Sequence, residues 1–130
     1  MFTSSAETAE SRYLEGLRST VLLQSGSGTE TDLSVTWVEV APGARQPPHS
    51  HPPQQVYVVV EGRGRMLVGG EERELGRGEL ALIPSGVEHG VVNIGDGPLI
   101  YVSAATPSFK VTDVYDSGEL SWGDGGELSR

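Results

Sequence analysis

The chain contains no cysteine and almost no lysine. The absence of cysteine excludes disulfide bonds, thiolate metal ligands and cysteine nucleophiles together. Lys110 is the single lysine, and the 9 basic residues are outnumbered by 18 acidic ones, which gives a formal net charge of −9 and a pI near 4.6. A surface this acidic repels a phosphate backbone, so nucleic acid is not an expected partner.

Long apolar runs are also missing. The longest uninterrupted stretches, such as Val56 to Val60, fall far short of the roughly 20 residues that span a bilayer. Met1 to Tyr13 includes Glu7 and Glu10 and no apolar run, so this segment resembles neither a signal peptide nor a transit peptide. These observations predict a protein with no membrane partner and a cytoplasmic location.

Glycine and proline are abundant instead. The 130 residues include 18 glycines and 8 prolines, and only 36% are hydrophobic, which is typical of short strands joined by many turns. A chain of this length suits one domain with one core. Gly69-Gly70 predicts a tight hairpin turn. The candidate strands of this all-β domain are residues 20–24, 33–40, 54–61, 64–68, 71–75, 79–83, 89–93, 99–105 and 109–115.

The two ends of the chain depart from the strand pattern. Ser4 and Glu7 have the spacing of a helix capping box, and the apolar residues that follow, including Leu14 and Leu17, lie near helical spacing. This favours a short helix over residues 5–17, with a frayed terminus as the alternative. The predicted organisation is a helical or flexible N-terminal segment, a β-domain and an acidic, glycine-rich tail, which cover residues 1–19, 20–115 and 116–130.

All three histidines fall within one frame. Imidazole is the commonest protein ligand for transition metals. His49 and His51, one residue apart on a strand, would point to the same side of it, and His89 would complete a cluster. The pattern therefore predicts a metal site rather than three scattered polar residues near turns. The full frame is Gly43-x5-His49-x-His51-x3-Gln55-x6-Gly62, followed by Gly78-x5-Pro84-x-Gly86-x2-His89-x3-Asn93.

These two blocks resemble the two motifs of the cupin family. The resemblance covers residues 43–93 by specific positions and residues 33–105 by strand pattern. It implies a double-stranded β-helix, which is a jelly-roll barrel, over residues 20–115, and it implies a homodimer. It also implies one divalent transition metal, for which Mn, Fe, Zn, Ni, Co and Cu are all acceptable. The ligands implied by the motif are His49, His51, Gln55 and His89.

Gln55 stands where most metal-binding cupins have glutamate. Three neutral imidazoles and one neutral amide would leave the whole positive charge on the ion, which makes it a stronger Lewis acid and makes its oxidised state harder to reach. Gln54 is a rival for the ligand role, but Gln55 has the family's offset and shares strand parity with Tyr57. A degenerate site without metal is the alternative.

Strand parity also predicts which side chains face the barrel interior. Counted from Gln55 and His89, the interior set is Tyr57, Val59, Val91 and Asn93. Glu88 has the opposite parity to His89 and is expected to face solvent. The residues that could either line a pocket or belong to the core are Trp37, Met66, Leu82 and Tyr101. The candidate catalytic residues are Tyr57, Glu39 and Tyr101, none of which the sequence singles out as a general acid or base.

The resemblance favours an enzyme that uses its metal as a Lewis acid on a small organic substrate. Lyase, isomerase and cyclase reactions all fit this description. Similar small cupins with glutamine at the fourth ligand position include manganese-dependent hydroxynitrile lyases, and others resemble aromatic polyketide cyclases. An Fe(II)-dependent dioxygenase is the first alternative, because a neutral shell of three histidines supports oxygen chemistry within the family. A non-enzymatic module that binds a small ligand is the second.

Overall fold

The computed structural model describes residues 1–108, and all of their regular elements are β-strands. No helix occurs among these residues, and hence none that could cross a membrane. The strand predicted over residues 109–115 and the tail predicted over residues 116–130 lie outside the described residues. The strands are β1 (Ser11–Leu14), β2 (Leu17–Leu23), β3 (Ser34–Val40), β4 (Arg45–His49), β5 (Gln54–Glu61), β6 (Arg63–Val68), β7 (Glu71–Gly76), β8 (Leu80–Ile83), β9 (His89–Asn93) and β10 (Leu99–Thr106).

The strands form two antiparallel sheets that enclose one core. One sheet has six strands in the order β1-β2-β3-β10-β5-β8, and the other has four in the order β4-β9-β6-β7. In β3, buried positions alternate with half-buried ones, as expected for a strand with one face in the core. The all-β, jelly-roll prediction is confirmed. The core cluster contains Leu17, Val38, Val40, Tyr57, Val59, Met66, Leu75, Ile83, Val91, Leu99 and Tyr101.

The N-terminal helix predicted over residues 5–17 is wrong, because that segment folds into a β-hairpin. Glu15 and Gly16 both have positive φ, 49° and 87°, which is the conformation of a two-residue hairpin turn that matches strand twist. This turn places Leu14 directly opposite Leu17, so their spacing of three reflects a hairpin and not a helix face. Ser4 does not begin a helix, since its hydroxyl donates to the carbonyl of Leu22 at 2.7 Å.

Strands β2 and β4 also differ from prediction. The second strand begins at Leu17 rather than at residue 20, because it continues from the hairpin turn. Strand β4 was not predicted, because Pro47 and Pro48 lack the N–H groups that a regular ladder needs. The structure accommodates them at a register shift between Gln46 and His49 in the pairing with β9. The predicted Gly69-Gly70 turn is confirmed, with Val68 paired to Glu71 across it.

The motif glycines serve the turns of the barrel. Gly43, Gly62, Gly78 and Gly86 all have positive φ, between 75° and 87°, a region that favours glycine. Gly62 is also held by a close approach, because a Cβ there would lie 2.3 Å from the carbonyl oxygen of Pro98. The motif therefore encodes the barrel as well as the site.

Candidate metal centre

The three histidines meet at one end of the barrel. His49 ends β4 and His89 begins β9, and the two are direct partners in the register of the four-stranded sheet. His51 follows β4 by two residues. The ring centroids lie 4.4 Å apart for His49 and His89, 5.1 Å for His51 and His89, and 5.5 Å for His49 and His51. One ligating nitrogen from each ring lies within 4.8 Å of the other two, so the structure brings the predicted histidines together.

Backbone carbonyls fix which nitrogen of His49 and of His89 can bind a metal. His49 Nδ1–H donates to the carbonyl of Pro47 at 2.9 Å, and His89 Nδ1–H donates to the carbonyl of Val87 at 2.9 Å. A carbonyl can only accept, so each Nδ1 carries the proton and each Nε2 keeps its lone pair. Such bonds orient a ligating imidazole and select its tautomer.

Burial keeps all three rings neutral near pH 7. Desolvation, together with repulsion from a positive charge on His89, lowers the pKa of His49 to about 3. Desolvation also lowers the pKa of His89 to about 4 and lowers the pKa of His51. Neutral imidazole is the metal-binding form, so a metal would not have to displace protons at neutral pH.

These lowered pKa values predict that the metal-free protein loses stability in mild acid. The unfolded chain binds protons at its histidines below about pH 6.5, whereas folded His49 and His89 stay neutral to about pH 3 and 4. The free energy of unfolding should therefore have its full value above pH 6.5. Below that pH it should fall, by at most about 1.4 kcal/mol per pH unit for each histidine. Melting temperatures measured in chelator between pH 7.5 and pH 5 test this. A melting temperature that is flat over this range, or equally steep in a variant lacking His49 and His89, would contradict the prediction.

Gln55 is the fourth residue at the cluster. Its side chain is 3% exposed, and its Nε2 lies 2.9 Å from His89 Nε2, to which it donates because that nitrogen holds the lone pair. Gln54, the rival residue, is exposed. A metal bound to His89 Nε2 would use the same lone pair that now accepts the hydrogen bond from Gln55. Rotation of the amide by 180° would then turn its oxygen toward the histidine nitrogens.

This set of donors fits a divalent transition metal. Three imidazole nitrogens that surround one ion evenly at about 2.1 Å are at most about 3.6 Å apart. Nitrogens that lie within 4.8 Å of one another therefore need to shift by less than about 1 Å. The buried polar residues of the described chain include no aspartate, glutamate, lysine or arginine, so the charge of an ion would stay uncompensated.

Two of the predicted catalytic candidates, Tyr57 and Tyr101, form a group beside His89 together with Gln46, which the sequence did not suggest. Tyr57 and Tyr101 stack with centroids 4.4 Å apart, and both hydroxyls donate to Gln46 Oε1, at 2.7 Å and 3.0 Å. Tyr57 also meets His89 edge-on, with centroids 5.8 Å apart. Gln46 was missed because the register shift in β4 breaks the parity that would have related it to His49.

The remaining candidates lie elsewhere. Glu39 is half-buried on the outer face of β3, where its carboxylate accepts from Trp37 Nε1 at 3.1 Å, so it does not approach the histidines. Leu82 is 56% exposed and is not an interior residue. Glu88 is exposed, as predicted. Met66 is in the core cluster with Tyr101.

Asn93 faces the interior, as predicted, but its contacts are structural. Its Nδ2 donates to the carbonyls of Val40 and Gly97, both at 2.9 Å, and its Oδ1 accepts from the backbone N–H of Gly95 at 2.9 Å. These bonds tie the loop after β9 to β3. The other interior predictions, Tyr57, Val59 and Val91, are also buried.

The fold and the histidine cluster agree with a family match. The sequence model of the cupin-domain family matches residues 36–105 of this chain. The match covers more than half of the chain and includes all three histidines. The chain therefore belongs to the cupin family.

Known proteins similar to this chain include enzymes. A dimethylsulfoniopropionate lyase, DddW, from Ruegeria pomeroyi is 31% identical over 90 residues, which cover 67% of this chain and 59% of the lyase. The chain thus spans less than two thirds of that relative. An RmlC-like cupin from Shewanella frigidimarina has a TM-score of 0.71 at 26% identity, over 85% of this chain and 94% of that one. Oxalate decarboxylase from Bacillus subtilis, described with Mn(II) centres, has a TM-score of 0.74 at 25% identity, over 82% of this chain and 30% of that one.

Proposed function

We propose that the protein is a metal-dependent cupin enzyme that acts on a small organic substrate by lyase, isomerase or cyclase chemistry. The observation that carries the proposal is the convergence of three neutral histidines, with no acidic or basic side chain buried among the described residues. A divalent metal bound there would act as a Lewis acid that stabilises negative charge developing on a substrate oxygen. His49, His51 and His89 would hold it, with Gln55 as the fourth ligand.

The surrounding residues have definite roles in this proposal. Pro47 and Val87 hold the ligating rings of His49 and His89 in the correct tautomer through their carbonyls. Gln55, as a neutral amide, binds more weakly than a carboxylate and can yield its place to a substrate oxygen. Gln46 orients the hydroxyls of both stacked tyrosines, which remain the candidates for proton transfer.

The relatives support this class of reaction without identifying the substrate. The names of the lyase and of the decarboxylase both describe cleavage of a small carboxylate-bearing molecule. Elemental analysis of protein purified without added metal tests the first step, with about one divalent ion per chain as the expected result. Oxygen consumption measured on candidate enolic substrates tests the alternative, an Fe(II)-dependent dioxygenase, for which uptake would be stoichiometric with turnover.

We also propose that the protein is a homodimer, paired through the outer face of the six-stranded sheet. The register places Leu80, Val58, Val102 and Trp37 in one row across four strands on that face. Leu80 and Leu82 are 55% and 56% exposed, so nothing in the described part of the chain covers them. An apolar row of this extent is typical of an interaction surface.

Sedimentation at micromolar concentration should therefore show twice the chain mass of 13.8 kDa. Leu82→Glu places a charge in the apolar face and should produce the monomer, since burying an unpaired carboxylate is unfavourable. Arg77→Glu, an exposed position in the turn between β7 and β8, is the control and should stay dimeric. A wild-type species of 13.8 kDa alone would reject the dimer.

A further inference from the structure

The two sheets leave a seam on one side of the barrel. Strands β7 and β8 are the outermost strands of their sheets on this side, and they are not paired with each other. A cavity of about 260 Å³ lies between them. Apolar side chains line it from both sheets, among them Met66 and Leu75 from one and Ala81 from the other, and β7 adds the charged groups of Glu71, Glu72 and Arg73.

The seam cavity lies beside the histidine cluster. Val68 is the register partner of His89, and Met66 is the partner of Val91, so these side chains share the inward face of the four-stranded sheet. On the other sheet, Ala81 is the register partner of Tyr57. The inner wall of the cavity is therefore one strand away from the metal site on both sides.

Arg73 is the single basic residue that lines this cavity in the part of the chain that the structure describes. It is the register partner of Met66, so it lies on the same inward face although it is exposed at the seam. Arg63 and Arg65 both pair with Glu74, whereas none of the described carboxylates forms an ion pair with Arg73. A guanidinium in this position can bind a carboxylate with two parallel hydrogen bonds.

We propose that the seam cavity holds the far end of the substrate and that Arg73 determines specificity for a carboxylate there. This inference rests on the proposed metal-dependent function. The ligand class is a small organic acid that binds the metal through a carbonyl or enol oxygen and carries a second, distal carboxylate. Because β6 lies between β9 and β7, the backbones of β9 and β7 are roughly 10 Å apart. A small dicarboxylic acid and the side chain of Arg73 together span this distance.

The charges around the seam explain why one distal carboxylate is favoured. None of the described residues buries a cationic side chain, and Arg73 is the one positive group among them at this cavity. Two carboxylates, Glu71 and Glu72, also line the cavity. Glu72 is the register partner of Leu67 and belongs to the opposite face of β7 from Arg73. Glu71, the register partner of Val68, is on the same face as Arg73 and lies one row closer to His89. It disfavours negative charge in that row and so directs the carboxylate toward Arg73.

Two test ligands of equal chain length separate this contact from metal binding. Both 2-oxoglutarate and 2-oxopentanoate present the same oxo-acid group, but only the first has a distal carboxylate. Calorimetry on protein loaded with one equivalent of the divalent metal found on purification should show that the wild type prefers 2-oxoglutarate by about tenfold. Arg73→Gln should abolish the preference and leave the metal content unchanged. Arg77→Gln removes the same charge from the neighbouring turn and should leave the preference for 2-oxoglutarate unchanged. Glu71→Gln should increase that preference.

The outcomes are distinguishable from failure of the proposed function. Protein that takes up no divalent metal would overturn the proposed function itself. Metal-loaded wild type that binds neither oxo acid, or binds both equally, would overturn only the role of Arg73. A tenfold preference that survives Arg73→Gln would do the same.

Discussion

The double variant His49→Ala, His89→Ala is expected to lose essentially all bound metal. It removes two of the three imidazoles that converge within 4.8 Å, and the single remaining imidazole and one amide cannot hold a transition metal against solvent. Even changes behind the ligands typically cost 10- to 100-fold in metal affinity, so the loss of two ligands should exceed about 100-fold. Equilibrium dialysis followed by elemental analysis measures this directly.

Folding must be controlled in that experiment, because His89 is fully buried and its truncation removes core packing as well as a ligand. His51 lies outside the strands, so His51→Ala repeats the test with less effect on the barrel, and circular dichroism reports the fold of each variant. Gln54→Ala is the exposed control beside the site and should keep its metal. A well-folded double variant with a full complement of metal would reject the assignment.

Gln55→Glu is expected to change metal affinity and activity in opposite directions. The replacement has the same shape and adds an anionic oxygen beside three neutral imidazoles, so divalent metal should bind about tenfold tighter or more. The same charge lowers the effective charge of the ion, so a Lewis-acid reaction should slow. The rate falls roughly tenfold for each 1.4 kcal/mol by which the transition state is less stabilised. Metal titration and turnover are measured on the same preparation.

Gln54→Glu is the matched control, since it makes the identical change one residue away at an exposed position. It should alter neither quantity. If Gln55→Glu gains both metal affinity and oxygen uptake, the Lewis-acid proposal fails and the dioxygenase is favoured, because an added carboxylate makes Fe(II) easier to oxidise. If Gln55→Glu changes nothing, Gln55 is not a ligand.

The spacing of a few residues determined the fold class and the main part of the candidate site. His49, His51 and His89 were predicted as a cluster, and the structure places them together, because barrel strands with motif glycines in their turns leave little freedom in register. Parity counted from Gln55 correctly placed Tyr57 and Val59 inside. Alternation along a strand is a local property, so the sequence is sufficient to predict it.

Only the tertiary structure decided the features that depend on contacts between distant segments. Leu14 and Leu17 fit a helix as well as a hairpin, and pairing of the second strand with β3 selected the hairpin. Pro47 and Pro48 made β4 unrecognisable as a strand from the sequence. It forms because β9 pairs with it on either side of a register shift. The tautomers of the histidines, the bonds of both tyrosines to Gln46 and the position of Arg73 at the seam all follow from that packing. Local spacing limits which face a side chain can occupy, whereas the neighbour it meets there depends on how the two sheets close on each other.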